Sequence, residues 1–80
     1  MKTVKIKLST IEDVRKFVET VTRYDMDIDL TSGRYTVDAK SIMGIFSLDL
    51  THPLNVVAYC DAEDGFLTEI AQFIYHPNEQ

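Results

Sequence analysis

The stretch Tyr24-Asp25-Met26-Asp27-Ile28-Asp29-Leu30 alternates apolar and acidic residues without a break. That period of two marks a strand with one face buried and one face wet. Met26, Ile28 and Leu30 share one side, and Asp25, Asp27 and Asp29 share the other. A strand covered on both faces would be apolar throughout, so the pattern predicts an antiparallel sheet with helices on one side only. Thr31-Ser32-Gly33 then supplies a tight turn, and Arg34-Tyr35-Thr36-Val37 returns as the neighbouring strand.

The flanking segments obey the same logic. Val4, Ile6 and Leu8 alternate with Lys5 and Lys7, which predicts a first strand. Ser9 and Thr10 precede Glu12 and Asp13 at capping-box spacing, while Val14, Phe17, Val18 and Val21 recur at helical intervals, so a helix is predicted over 11–23. In Lys40-Ser41-Ile42-Met43-Gly44-Ile45-Phe46-Ser47-Leu48-Asp49-Leu50, Ser41 is placed to cap a short helix that Gly44 weakens. The element is too short to be stable alone and must dock. Ile42 and Ile45 are expected in the core, and Met43 and Phe46 are candidates for an exposed partner patch. Thr51-His52-Pro53 reads as a loop and Leu54 to Cys60 as a fourth strand. Asp61-Ala62-Glu63-Asp64 opens a last helix with Phe66, Leu67, Ile70, Phe73 and Ile74 as its apolar stripe, and His76-Pro77 ends it. The predicted fold is α+β in the order β-α-β-β-α-β. It has a four-stranded, mostly antiparallel sheet, two main helices on one face and a short helix after Ser41, in one domain over residues 1–80.

Composition narrows the function. Eight basic residues against 13 acidic ones, a net charge of −5, argue against nucleic acid and against an anionic membrane surface. The lysines that interrupt the N-terminal apolar residues leave no secretion signal, so a cytoplasmic protein is expected. The single cysteine, Cys60, is expected as a buried, inert thiol on the strand face of Val56 and Ala58. With His52 and His76 it makes too few grouped ligands for a zinc site. The aspartates at 25, 27 and 29 have the spacing of a calcium loop, but Leu30 and Thr36 stand where such a loop needs glycine and glutamate. No metal and no cofactor are therefore expected.

Two segments carry a family resemblance. Lys40-Ser41-Ile42-Met43-Gly44, followed by two apolar residues and Ser47-Leu48, resembles the regulatory-serine segment of the HPr family, the small phosphocarriers of the bacterial sugar phosphotransferase system. Tyr24 to Leu30 is the second dense match, and the resemblance runs from Val4 to Ile74. It implies the HPr-like open-faced β-sandwich, in agreement with the periodicity. In its register the family's phosphoryl-accepting histidine, normally within Gly-Ile-His-Ala-Arg-Pro-Ala, falls on Thr10, its arginine on Glu12 and its proline on Asp13. Asp49 stands where the family usually has glycine.

Without an imidazole nitrogen at position 10, the high-energy phosphoramidate of a carrier has no place to form there. The Crh-type HPr-like proteins also lack the histidine, keep the serine and act as partners of a transcriptional regulator. The resemblance thus implies a non-catalytic regulatory or protein-interaction module rather than an enzyme, with a kinase or a transcriptional regulator as partner. Ser41 is the candidate phosphorylation site, with Lys40 as a neighbouring cation, and Thr10, Ser41, Met43 and Phe46 are the candidate contact residues. The alternative is a working phosphocarrier that uses another acceptor. His52 and His76, each before a proline, are expected to be exposed and uninvolved.

Overall fold

The computed structural model describes residues 2–59 and 65–77. Along the chain lie β1 (Lys2–Ile6), α1 (Ile11–Thr22), β2 (Ile28–Ser32), β3 (Tyr35–Asp38), α2 (Ile42–Phe46), β4 (Leu54–Ala58) and α3 (Phe66–Glu69), followed by a 3₁₀ turn (Ala71–Phe73). The four strands form one sheet in the order β1-β4-β2-β3, and every neighbouring pair is antiparallel.

Alternation decides which side is buried. Val4, Val56, Leu30 and Val37 lie in register across the sheet, and with Ile6, Leu54, Ala58 and Ile28 they form the covered face. Val14, Phe17 and Val21 of α1 close over it and are fully buried. Phe66, Ile70 and Phe73 join the same core, with Phe17 and Phe73 edge to face at 5.5 Å. On the other face Thr3, Lys5, Thr36 and Asp38 are exposed, while Asp29, Thr31, Asn55 and Val57 are half-buried.

The element boundaries correct several expectations. β1 ends at Ile6, and Leu8, outside the strand, is still fully buried. The second strand begins at Ile28, not Tyr24, because the Tyr24 N–H still bonds back to the Val21 carbonyl at the end of α1. Thr31 and Ser32 belong to the strand, and the turn is Gly33-Arg34 between the paired Ser32 and Tyr35. Gly33 has φ +59, the left-handed value that glycine tolerates best.

The last helix departs most. α3 covers only Phe66–Glu69, after Gly65 at φ +80 and with no side-chain cap. Ile70 leaves helical geometry, and Ile74 is extended. Tertiary contacts override the helical stripe here. The Phe73 carbonyl accepts from the Lys7 N–H and the Tyr75 N–H donates to the Lys5 carbonyl, both at 2.9 Å, so Ile74 bridges Ile6 on the outer edge of β1. The stripe residues Phe66, Ile70 and Phe73 are nonetheless buried. Cys60 and the acidic run 61–64 lie outside the described residues.

One pairing works against the sheet. Asp29 stands directly opposite Asp38. The bond from the Ala39 N–H to the Ile28 carbonyl makes theirs the closer, non-hydrogen-bonded kind of pair. Like charges so opposed repel by a few tenths to about 1 kcal/mol. Asp29→Asn is therefore expected to raise the urea midpoint at low ionic strength, by a gain that shrinks in ~1 M salt. An unchanged or lower midpoint at low salt contradicts the assignment of net repulsion.

Candidate functional site

Two helix starts carry the residues singled out by the sequence. At the first, Thr10 is the N-cap of α1 in a complete capping box. Its Oγ1 accepts from the Asp13 N–H at 3.0 Å, and Asp13 Oδ2 accepts from the N–H groups of Ser9 at 3.0 Å and Thr10 at 3.2 Å. This reciprocity satisfies donors that a helix start otherwise leaves open. Thr10 is solvent-exposed, but its hydroxyl and the facing carboxylate are already occupied with holding the helix. Glu12 is exposed, 3.9 Å from Arg15, a contact of little energy in water. The first turn thus presents carboxylates at 12 and 13.

At the second start, Ser41 caps α2 as expected, its Oγ accepting from the Gly44 N–H at 3.2 Å. Ser41 is exposed. Ile45 is fully buried and Ile42 packs partly against the core, whereas Met43 and Phe46 are 76% and 41% exposed. The division expected among these four apolar residues is the one observed. Gly44 has a steric reason as well. A Cβ there would meet Val37 Cβ at 3.2 Å and Ser41 Oγ at 3.3 Å, so glycine lets α2 sit close to β3. α2 also packs against α1, so both helix starts belong to one helical layer.

Several partners were not legible beforehand. Lys40 does not serve Ser41. Its ammonium donates to the Tyr24 carbonyl at 2.5 Å, and its N–H donates to Asp38 Oδ1 at 2.9 Å. Lys7, expected on the wet face, is half-buried and donates to the Leu50 carbonyl at 3.1 Å. Ile11, beside Thr10, is 68% exposed and extends the apolar surface of the α1 start, a feature that its place next to a cap residue could have signalled. Asp27, Asp29, Asp38, Lys40 and Tyr59 line an open cleft of about 360 Å³ at one end of the sheet. Among the described residues, no group of three or more His, Cys, Asp or Glu could hold a metal ion, and no helix is long and apolar enough to cross a membrane.

His52 lies in the loop after α2 with its Nε2 3.6 Å from Asp49 Oδ2, and its side chain is largely exposed. His76 is also exposed. Asp49 is engaged locally, since the hydroxyl of Thr51 donates to its carboxylate at 2.6 Å and the Thr51 N–H donates at 3.0 Å.

Comparison with known proteins gives a consistent picture. The family model described as "PTS HPr component phosphorylation site" matches residues 13–75. Among solved structures, HPr-C-His from Thermoanaerobacter tengcongensis is 27% identical, with a TM-score of 0.77 over 92% of this chain and 91% of that one. The phosphocarrier protein HPr from Bacillus anthracis str. Ames is 23% identical, with a TM-score of 0.69 over 92% of this chain and 96% of its own, a likeness of fold. A search of curated proteins gave no significant match.

The Asp49 turn makes a pH prediction. The Thr51 hydroxyl first, then the Thr51 N–H, with weaker help from His52 and Lys7, hold its carboxyl below the ordinary value of 3.8. A carboxyl lowered by folding stabilises the fold above its unfolded value and loses that contribution as pH falls through the folded one. Relative to Asp49→Asn, the unmodified protein is expected to keep its advantage in urea midpoint at pH 5 and to lose it below about pH 3.8. A difference that stays constant from pH 5 to pH 2.5 contradicts this.

Proposed function

Because this chain belongs to the HPr family of the phosphotransferase system, we propose that it acts there as a non-catalytic regulatory or protein-interaction module, not as a phosphoryl carrier. The observation that carries this reading is the chemistry of the α1 start. In the register of the family resemblance, Thr10 stands at the position of the phosphoryl-accepting histidine and Glu12 at that of the arginine. The Thr10 hydroxyl is tied into the capping box, and carboxylates stand at 12 and 13, where a transferred phosphate would need cations. A phosphoryl group there would be repelled rather than held. The matched span, 13–75, begins just after these positions. Neither His52, whose described neighbour is the Asp49 carboxylate, nor His76 has a family register to recommend it as acceptor.

The other half of the proposal is a contact surface. Ser41, Met43 and Phe46 on α2, together with Thr10 at the α1 start, meet a protein partner, a kinase or a transcriptional regulator in the cytoplasm. Met43 and Phe46 support it because a short helix that already buries Ile45 has no structural use for two further exposed apolar side chains. Ser41 supports it because its hydroxyl is exposed at a helix start, where added negative charge is favoured by a few tenths to about 1 kcal/mol.

Two incubations test this. With phosphoenolpyruvate and the first enzyme of the phosphotransferase system, no acid-labile phosphoryl group is expected. Thr10→His with Glu12→Arg is expected to be a better acceptor than Thr10→His alone. Labelling of the unmodified protein makes it a carrier and ends the proposal. With an HPr serine kinase and ATP, intact mass is expected to rise by one phosphate in the unmodified protein and not in Ser41→Ala. That variant also loses about 1 kcal/mol of cap stability. No mass gain where a true HPr is fully modified removes Ser41 phosphorylation from the reading.

A further inference from the structure

The segment that carries Ser41, Met43 and Phe46 is weak by itself. α2 has five residues, one of them glycine, and one side-chain cap. Helices that short do not hold their shape in water. Ile45 and Leu48 anchor its underside, with 0% and 8% exposure, and Leu50 is half-buried. Apolar burial keeps the segment down but fixes its position along the layer only loosely, because it is not directional.

Directional bonds occur at both ends: the Ser41 N–H donates to the Asp38 carbonyl at 3.0 Å, and a lysine ammonium adds a long-range bond at each end. Lys40, the residue before the cap, reaches the Tyr24 carbonyl. That acceptor is itself fixed, since the Tyr24 N–H bonds to the Val21 carbonyl and its ring meets Phe66 edge to face at 5.3 Å. At the far end Lys7 reaches the Leu50 carbonyl. Here the donor is the fixed partner, because the Lys7 N–H bonds to the Phe73 carbonyl. Both lysines are half-buried, and a charged donor makes a stronger hydrogen bond than a neutral one.

We infer that Lys7 and Lys40 are positioning residues that clamp the Ser41–Leu50 segment between the core at Tyr24 and the end of β1. The inference deepens the contact-surface reading and rests on it for its functional meaning. The clamp presents Ser41, Met43 and Phe46 in one arrangement, so a partner need not order them on binding.

The test keeps the two ideas apart. In Lys7→Met and Lys40→Met, which retain an apolar stem, the amides of Gly44, Ile45, Ser47 and Leu48 are expected to exchange with solvent about three- to tenfold faster. The double variant is expected to go further, while Val21 in α1 and Val56 in β4 change by less than about twofold. Lys→Arg at either site, which keeps a charged donor, is expected to recover most of the protection. Unchanged α2 amides, or acceleration shared equally by Val21 and Val56, overturns the clamp. Should the Met variants fail to fold, ammonium proton exchange in the unmodified protein decides. Lys7 and Lys40 are expected to exchange at least about tenfold more slowly than Lys5 and Lys16, and equal rates overturn the inference. A negative kinase assay counts against the contact-surface reading and leaves these exchange patterns untouched.

Discussion

The edge-to-face packing of Phe17 on Phe73 joins the one long helix to the end of the chain, directly over the buried face of the sheet. With 80 residues there is material for a single core, and a sheet with one wet face cannot supplement it from behind. Every other helix has five residues or fewer among the described residues. Among the described residues, α1 is therefore the only helical element whose position is secured by its own length and stripe. Its N-cap carries Thr10, and the Tyr24 carbonyl just past its C-terminus receives Lys40. Both candidate helix starts thus take their bearings from α1.

Strands and α1 were legible because their signals are local and repeated. Alternation identified the sheet and its wet side, and the capping-box spacing of Ser9 and Thr10 with Glu12 and Asp13 placed a helix start at about Ile11, where α1 begins. The last segment was misread because its apolar residues satisfy a helical stripe and a broken turn equally well. What decided between them is the pairing of Ile74 with Ile6, a contact between opposite ends of the chain that no window of sequence contains. The lysines failed for a similar reason. Lys5 and Lys7 are alike in the alternation, yet one ends in water and the other on a carbonyl 43 residues away. Long flexible side chains choose acceptors in three dimensions.

Around α2 the sequence anticipated Ser41 as the cap and Met43 and Phe46 as exposed apolar residues, because caps and short apolar runs obey local rules. It did not disclose that Lys40 is engaged elsewhere or that a Cβ at position 44 would crowd Val37. The charge chemistry at Thr10 and Glu12 was legible only through register with a family, since a threonine cap before two acids is otherwise an ordinary helix beginning.

The placement of β1 has a consequence for the order of events during synthesis. β1 is made first, yet its sheet neighbour is β4 and its outer edge is bridged at Ile74, both encoded in the second half of the chain. α1 and the β2–β3 hairpin, by contrast, close over short stretches of chain. At roughly 5–20 residues per second, the nascent first strand waits several seconds with its backbone groups bonded only to water. The lysines at positions 2, 5 and 7, whatever they do in the finished fold, keep that waiting segment charged and so discourage its pairing with another unfinished chain.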